Sequence, residues 1–266
     1  MPAARLSLLT IAKNEAARLP GLVNPLAPLV TGDIVILADV DSTDATVEVA
    51  QALADRCYAV RFPDSFGELL SMGIALASLG AEWALWLDCD ERLEPGAFTH
   101  LRDKVISADG RGPIYALARR RWSDWQKSRQ IDPADPDWQP RLLPARGAAP
   151  IRFERRLHPY PAPGSPDVVR LLHGPPGKET EAWPWIDHFH DTKSPVELAE
   201  RQDLYQRLAR ADRIAIEGGQ PYAAPCACGH PRIAHAGALE YATPPFACET
   251  CPCRAFSDGL IDALAT

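Results

Sequence analysis

Two carboxylates, Asp88 and Asp90, flank Cys89 where the apolar run Trp83 to Leu87 ends. On an extended chain, residues i and i+2 point to one side, so the pair can address a single point in space. Hard oxygens so placed suit Mg2+ or Mn2+, and a held cation neutralises the charge that develops on a departing diphosphate without any proton transfer. The competing reading of an Asp-x-Asp triplet is a loop cap.

A second acidic cluster, Asp39, Asp41 and Asp44, follows the run Ile34 to Ala38, and Lys13-Asn14-Glu15 follows the run Leu6 to Ala12. Carboxylates accept hydrogen bonds, so Asp39 suits a pyrimidine N–H and Glu15 a ribose hydroxyl. Asp44 is equally suited to capping the helix that comes next. Farther along, Asp187-His188-Phe189-His190-Asp191 places two imidazoles between two carboxylates. His188 and His190 share one face of an extended chain, where hydrogen bonds that pin the following helix are one reading. Trp122, Trp125, Trp138, Trp183 and Trp185 offer flat faces to sugar C–H surfaces, or else fill core.

A third chemistry sits in the tail. Cys226, Cys228, His230, His235, Cys248, Cys251 and Cys253 crowd a segment too short for a core of its own. Tetrahedral zinc takes four such ligands. Gly229 permits the tight turn of a metal knuckle, and His235, Cys248 and Cys253 with Cys226 or Cys228 form the expected set. Disulfides, a redox dithiol and an iron–sulfur cluster are the alternatives; a reducing compartment disfavours the first two.

These clusters need elements to hold them. Leu6 to Ala12, Ile34 to Ala38, Tyr58 to Phe62 and Trp83 to Leu87 read as short buried strands of a parallel sheet covered on both faces. Helical patterns follow: one behind Ser42-Thr43-Asp44 to about Asp55, one from Phe66 to Leu79, and one from Glu94-Pro95 through Val105. Alternating strands and helices imply a doubly wound α/β sheet, whose ligands bind beyond the carboxyl ends of its strands. From Asp109 to Gly177 the pattern weakens into an irregular, acceptor-side half, with strands expected at Ile114 to Arg120 and around Ile151 to Leu157. A last helix spans Pro195 to Ile216, and Glu217-Gly218-Gly219-Gln220-Pro221 reads as a linker. The expected division is a main domain over 1–220 and a zinc-binding tail over 221–266.

With 28 Lys and Arg against 35 Asp and Glu, the net charge is −7, which argues against broad attraction to nucleic acid or to an anionic membrane. A local basic patch at Arg119-Arg120-Arg121 stands apart from this balance. The run Leu6 to Ala12 is too short to span a bilayer, so no integral membrane segment is expected and the cytoplasm is the expected location. Cys57 and Cys89, standing apart, read as buried small side chains.

Leu8-Leu9-Thr10-Ile11-Ala12-Lys13-Asn14-Glu15, Asp39-Val40-Asp41-Ser42-Thr43-Asp44-Ala45-Thr46 and Trp86-Leu87-Asp88-Cys89-Asp90-Glu91 resemble, in order and spacing, the family 2 glycosyltransferases. The resemblance implies a GT-A fold, a nucleotide-sugar donor that is usually UDP-linked, a divalent metal and an inverting displacement. Carried over, the donor side would comprise Thr10, Ala12, Lys13, Asn14, Glu15, Asp39, Asp41, Asp44, Asp88, Cys89 and Asp90, with Asp88, Asp90, His188 and His190 around Mn2+ or Mg2+. Pro140-Arg141-Leu142-Leu143 and Phe153-Glu154-Arg155-Arg156-Leu157-His158 resemble a further segment of a subgroup, which adds Arg141 to the donor side.

The chain also departs from the pattern. Leu70 and Ser71 stand where many relatives have Arg-Asn, and Pro159 stands where the subgroup has a glutamate. An inverting transfer needs a base beside the acceptor hydroxyl, and the nearest candidates are His158 and Glu154. The competing reading is a non-catalytic protein of the same fold that docks a partner through its zinc module.

Overall fold

The computed structural model describes residues 4–131, 137–145, 151–157, 159–171, 184–189, 195–217 and 261–262. His158, His190, Trp183 and all the tail ligands, Cys226, Cys228, His230, His235, Cys248, Cys251 and Cys253, lie outside them, as does the expected boundary near residue 220.

The N-terminal half alternates strand and helix: β1 (Leu6–Ala12), α1 (Leu19–Val23), β2 (Ile34–Asp39), α2 (Thr46–Leu53), β3 (Arg56–Val60), α3 (Phe66–Ala77) and β4 (Trp83–Trp86). A short β5 (Glu91–Leu93) and α4 (Pro95–His100) follow, the helix running on into a wider turn over Leu101–Val105. β1 pairs in parallel with β2 and β4, and β2 with β3. Side chains alternate across the sheet. Leu8, Ile36 and Leu85 pack with Leu22 and Phe98 on one face, while Leu9, Leu37 and Trp86 pack with Leu69 and Leu70 of α3 on the other. Strands buried on both faces read as unbroken apolar runs, which is why these three were visible in the sequence. α3 begins at Ser65, whose Oγ accepts the Glu68 N–H at 3.2 Å. It lies close on the sheet at Gly73, where an added Cβ would stand 2.9 Å from Leu9 Cδ1.

Two sequence expectations shift. The strand read at Tyr58 to Phe62 runs over Arg56–Val60, because pairing with Val35 to Asp39 sets its register. The stretch from Asp109 is far less irregular than expected. β6 (Ile114–Trp122), β7 (Gln130–Ile131), β8 (Asp137–Pro144), β11 (Val168–Arg170) and β12 (Trp185–Phe189) continue the same sheet, in the order β3-β2-β1-β4-β8-β6-β12-β5, with β7 and β11 also on β6. β8 enters antiparallel between β4 and β6. β9 (Phe153–Glu154) and β10 (Tyr160–Pro161) form a separate hairpin over the start of α3, and α5 (Pro195–Glu217) is the last long helix. Among the described residues no helix is long and apolar enough to cross a membrane.

Candidate functional site

The parallel strands all point their carboxyl ends one way, so the loops after β1, β2 and β4 meet. Asn14, held at φ 54°, turns its amide oxygen to the backbone N–H of Thr43 at 2.7 Å and so locks the first loop to the second. The Glu15 N–H donates to Thr46 Oγ1 at 2.7 Å. Asp39 is buried at the end of β2; its Oδ1 accepts from the Asp41 N–H at 2.9 Å and its Oδ2 from Lys13 Nζ at 2.8 Å. Asp44 sits one residue before the N-cap position, Ala45, and ties the start of α2 to the first loop: Oδ1 accepts from the Thr46 N–H at 3.0 Å and Oδ2 from the Ala16 N–H at 3.1 Å.

The loop after β4 is organised by Glu91, which is wholly buried. One carboxylate oxygen accepts from the Asp88 N–H at 3.0 Å, and the other accepts from Arg141 at 2.7 Å and Arg119 at 3.1 Å. Arg141 Nη2 also donates to Asp88 Oδ2 at 2.7 Å, and its guanidinium lies 3.9 Å from the centre of the Trp86 ring. Arg119 pairs onward with Asp137. Charges therefore alternate along Asp88, Arg141, Glu91, Arg119 and Asp137, the arrangement a buried set needs if no ion is to be left uncompensated. Burial pushes Glu91 upward, but Arg141 and Arg119 outweigh it and hold the carboxyl below its usual range. Burial pushes the Cys89 thiol up, so it stays protonated.

Asp90 stands on the other side of this loop, buried, with its Oδ1 3.7 Å from Nε2 of His188. β12 brings the imidazole there by pairing His188 with Glu91 of β5, and the Phe189 N–H donates to the Asp90 carbonyl at 2.9 Å. Asp187 faces away, to Arg120, Trp122 Nε1 and Lys127. Among the described residues no three or more His, Cys, Asp and Glu side chains come together as a metal cluster by themselves.

Lys13, Asp39, Asp88, Asp90, Arg141 and His188 line one cavity of about 1520 Å3, together with Arg119, Trp138, Arg170 and, from α5, Glu197, Arg201 and Tyr205. Of the residues expected on the donor side, Ala12, Lys13, Asn14, Glu15, Asp39, Asp41, Asp88, Cys89, Asp90 and Arg141 are in its wall. Thr10 and Asp44 are not. Thr10 is wholly buried, 3.5 Å from Cys89 Sγ, because its position on β1 points it into the sheet's packing. Glu154 is not in the wall either: it lies on the hairpin strand opposite Tyr160, one residue past the buried Phe153. Of the tryptophans, Trp138 lines the cavity, while Trp125 stacks on Phe189 at 4.3 Å and Trp185 lies against Arg120. The α5 residues carried no signal in the sequence beyond an exposed helical pattern, and Arg119 was visible only as part of a basic patch.

The sequence profile described as "Glycosyl transferase family 2" matches residues 7–160. No curated protein matches the chain. Similar solved structures include glucosyl-3-phosphoglycerate synthase from Mycobacterium tuberculosis with Mn2+, uridine diphosphate and glucosyl-3-phosphoglycerate, at 21% identity over 45% of this chain and 44% of that one, TM-score 0.33. GalNAc-T7 with UDP, GalNAc and Mn2+ matches at 14% identity over 48% and 30%, TM-score 0.35. Mannosyl-3-phosphoglycerate synthase from Rubrobacter xylanophilus matches at 13% over 86% and 79%, TM-score 0.43. The chain spans less than half the length of the first two.

Proposed function

The chain belongs to glycosyl transferase family 2, a family of glycosyltransferases, and on that premise we propose that it moves a sugar from a UDP-linked donor to an acceptor hydroxyl, with inversion. The observation that carries this is the meeting, in one cavity, of Asp39 beside Lys13 with Asp88, Asp90 and His188, all at the carboxyl ends of strands in the family-matched sheet or on the strand that adjoins them.

Asp39 accepts the N–H of the base, and Glu15, fixed by Arg18 at 3.0 Å, receives a ribose hydroxyl. Asp90 and His188 are the residues that would hold a divalent cation. The donor set fits such an ion: one carboxylate and one imidazole leave most of the shell to phosphate oxygens and water, as Mg2+ and Mn2+ prefer when they arrive with a nucleotide. When bound, the cation offsets charge on the departing diphosphate. Asp88, tied to Arg141, is less available to it than Asp90 and serves the ribose or the cation's outer contacts. His158 is the base that takes the acceptor proton.

In this reading the transferase unit covers 1–220, the tail over 221–266 is a zinc module with four ligands among Cys226, Cys228, His235, Cys248, Cys251 and Cys253, and the protein works in the cytoplasm. The deciding experiment is thermal unfolding of the full chain with Mn2+ and a panel of nucleotide sugars. Stabilisation by one UDP-sugar is expected, since a ligand that binds only the folded state shifts unfolding by mass action. No shift with any nucleotide or nucleotide sugar would overturn the transferase reading.

A further inference from the structure

The cavity is larger than the roughly 300–1,000 Å3 that a single small ligand takes, and its walls differ in charge. Residues from 11 to 90 contribute Lys13 and Arg61 against six carboxylates, whereas residues from 116 to 170 contribute Arg119, Arg121, Arg141, Arg155 and Arg170 against Asp137 alone. In a chain of net charge −7, that second wall is a local reversal. Arg119 and Arg141 are consumed by Glu91, Asp137 and Asp88. Arg155 and Arg170 are not: among the described residues neither forms an ion pair, and Arg170 has only the Trp138 ring, 5.3 Å from its guanidinium.

Resting on the transferase reading, we propose that Arg155 and Arg170 hold an anionic group of the acceptor, a phosphate or carboxylate, with Trp138 against its apolar part. Position separates Arg170 from the donor's diphosphate. Leu142, next to Arg141 on β8, pairs with Leu85 of β4; Pro140 pairs with Ala116 of β6; and Ala116 pairs with Arg170 of β11. Arg170 thus lies three strand spacings from the strand that leads to Asp88, about 14 Å, on the side away from Asp39. That is farther than one sugar ring spans. Arg155 is held at φ 71°, a backbone state costly for a residue with a Cβ and found where a site fixes it. Its carbonyl accepts the Gly67 N–H at 3.2 Å and that of Arg156 accepts the Phe66 N–H at 2.9 Å. The first N–H groups of α3 are thereby used within the protein, leaving the arginine side chains as the available anion contacts on this wall.

The test is calorimetry on the full chain saturated with UDP and Mg2+, titrated with inorganic phosphate, for the parent and for Arg155→Gln with Arg170→Gln. Phosphate should bind the UDP-loaded parent and bind the double variant at least about tenfold more weakly, as expected for lost charge-assisted hydrogen bonds. UDP affinity should be the same in both. Equal phosphate affinity, no phosphate binding to the parent, or a parallel loss of UDP affinity in the variant would each overturn the assignment, the last by giving the arginines to the donor. Absence of UDP binding to the parent is read in the first arm and counts against the transferase reading instead.

Discussion

His188 Nε2 stands 3.7 Å from Asp90 Oδ1, two groups 98 residues apart that β12 brings together by pairing with β5. A divalent ion between them would make UDP affinity metal-dependent. Replacing Mn2+ by a chelator should weaken UDP binding by several kcal/mol in the parent. Asp90→Ala and His188→Ala should each lose most of that difference. Calorimetry in all conditions checks it, and metal-independent UDP affinity in the parent would remove the cation from the site.

Glu91 gives a stability prediction with a definite sign. Its folded pKa is lowered from the usual 4.5, so its contribution is fully present above that value and is lost as pH falls below it. Glu91→Gln should be less stable by about 3–5 kcal/mol at pH 7, because Arg141 and Arg119 lose their shared counter-charge. Between pH 5 and pH 2, its urea midpoint should fall less steeply than the parent's. Parallel profiles would mean that Glu91 is not the group that ties these arginines.

The tail should bind one zinc ion per chain. Elemental analysis of freshly purified, reduced protein reads this directly, and Cys248→Ser with Cys253→Ser should abolish it. Unchanged metal content in that variant would point to other ligands; no zinc in the parent would end the claim.

His158→Ala should lower kcat by about 10²–10⁴ while leaving UDP affinity intact, as removal of a general base does. Full turnover in the variant would exclude His158. Glu154 would not inherit the role, since it lies outside the cavity wall.

The sequence was most legible where burial was two-sided. β1, β2 and β4 are apolar on both faces, so their ends, and the acidic residues there, could be located from composition alone. β8 could not. Pro140 lies within it and Pro144 ends it, and Asp137, Gln139 and Arg141 sit on it, each with at least one side-chain partner from another element or from the strand itself. A strand whose polar side chains are neutralised by residues far away in sequence carries no local sign of being a strand. Ser71 was legible as a departure from the family pattern but not as to its consequence: its Oγ accepts the Phe153 N–H at 2.8 Å and donates to the Gly67 carbonyl at 2.7 Å, so it fastens the hairpin to α3. Leu70 beside it is wholly buried in the core.

The antiparallel entry of β8 also orders events in time. β1 to β4 can pair using residues 6–86, but the arginine that compensates Asp88 and Glu91 arrives from 53 and 50 residues farther along. Until β6 and β8 dock, bringing Arg119 and Arg141, burying Glu91 leaves a bare charge in the sheet's interior. Completion of the loop after β4 therefore waits on docking of β6 and β8. During pulsed hydrogen exchange, amides of β1 and β2 should gain protection before the Asp88 amide that Glu91 holds.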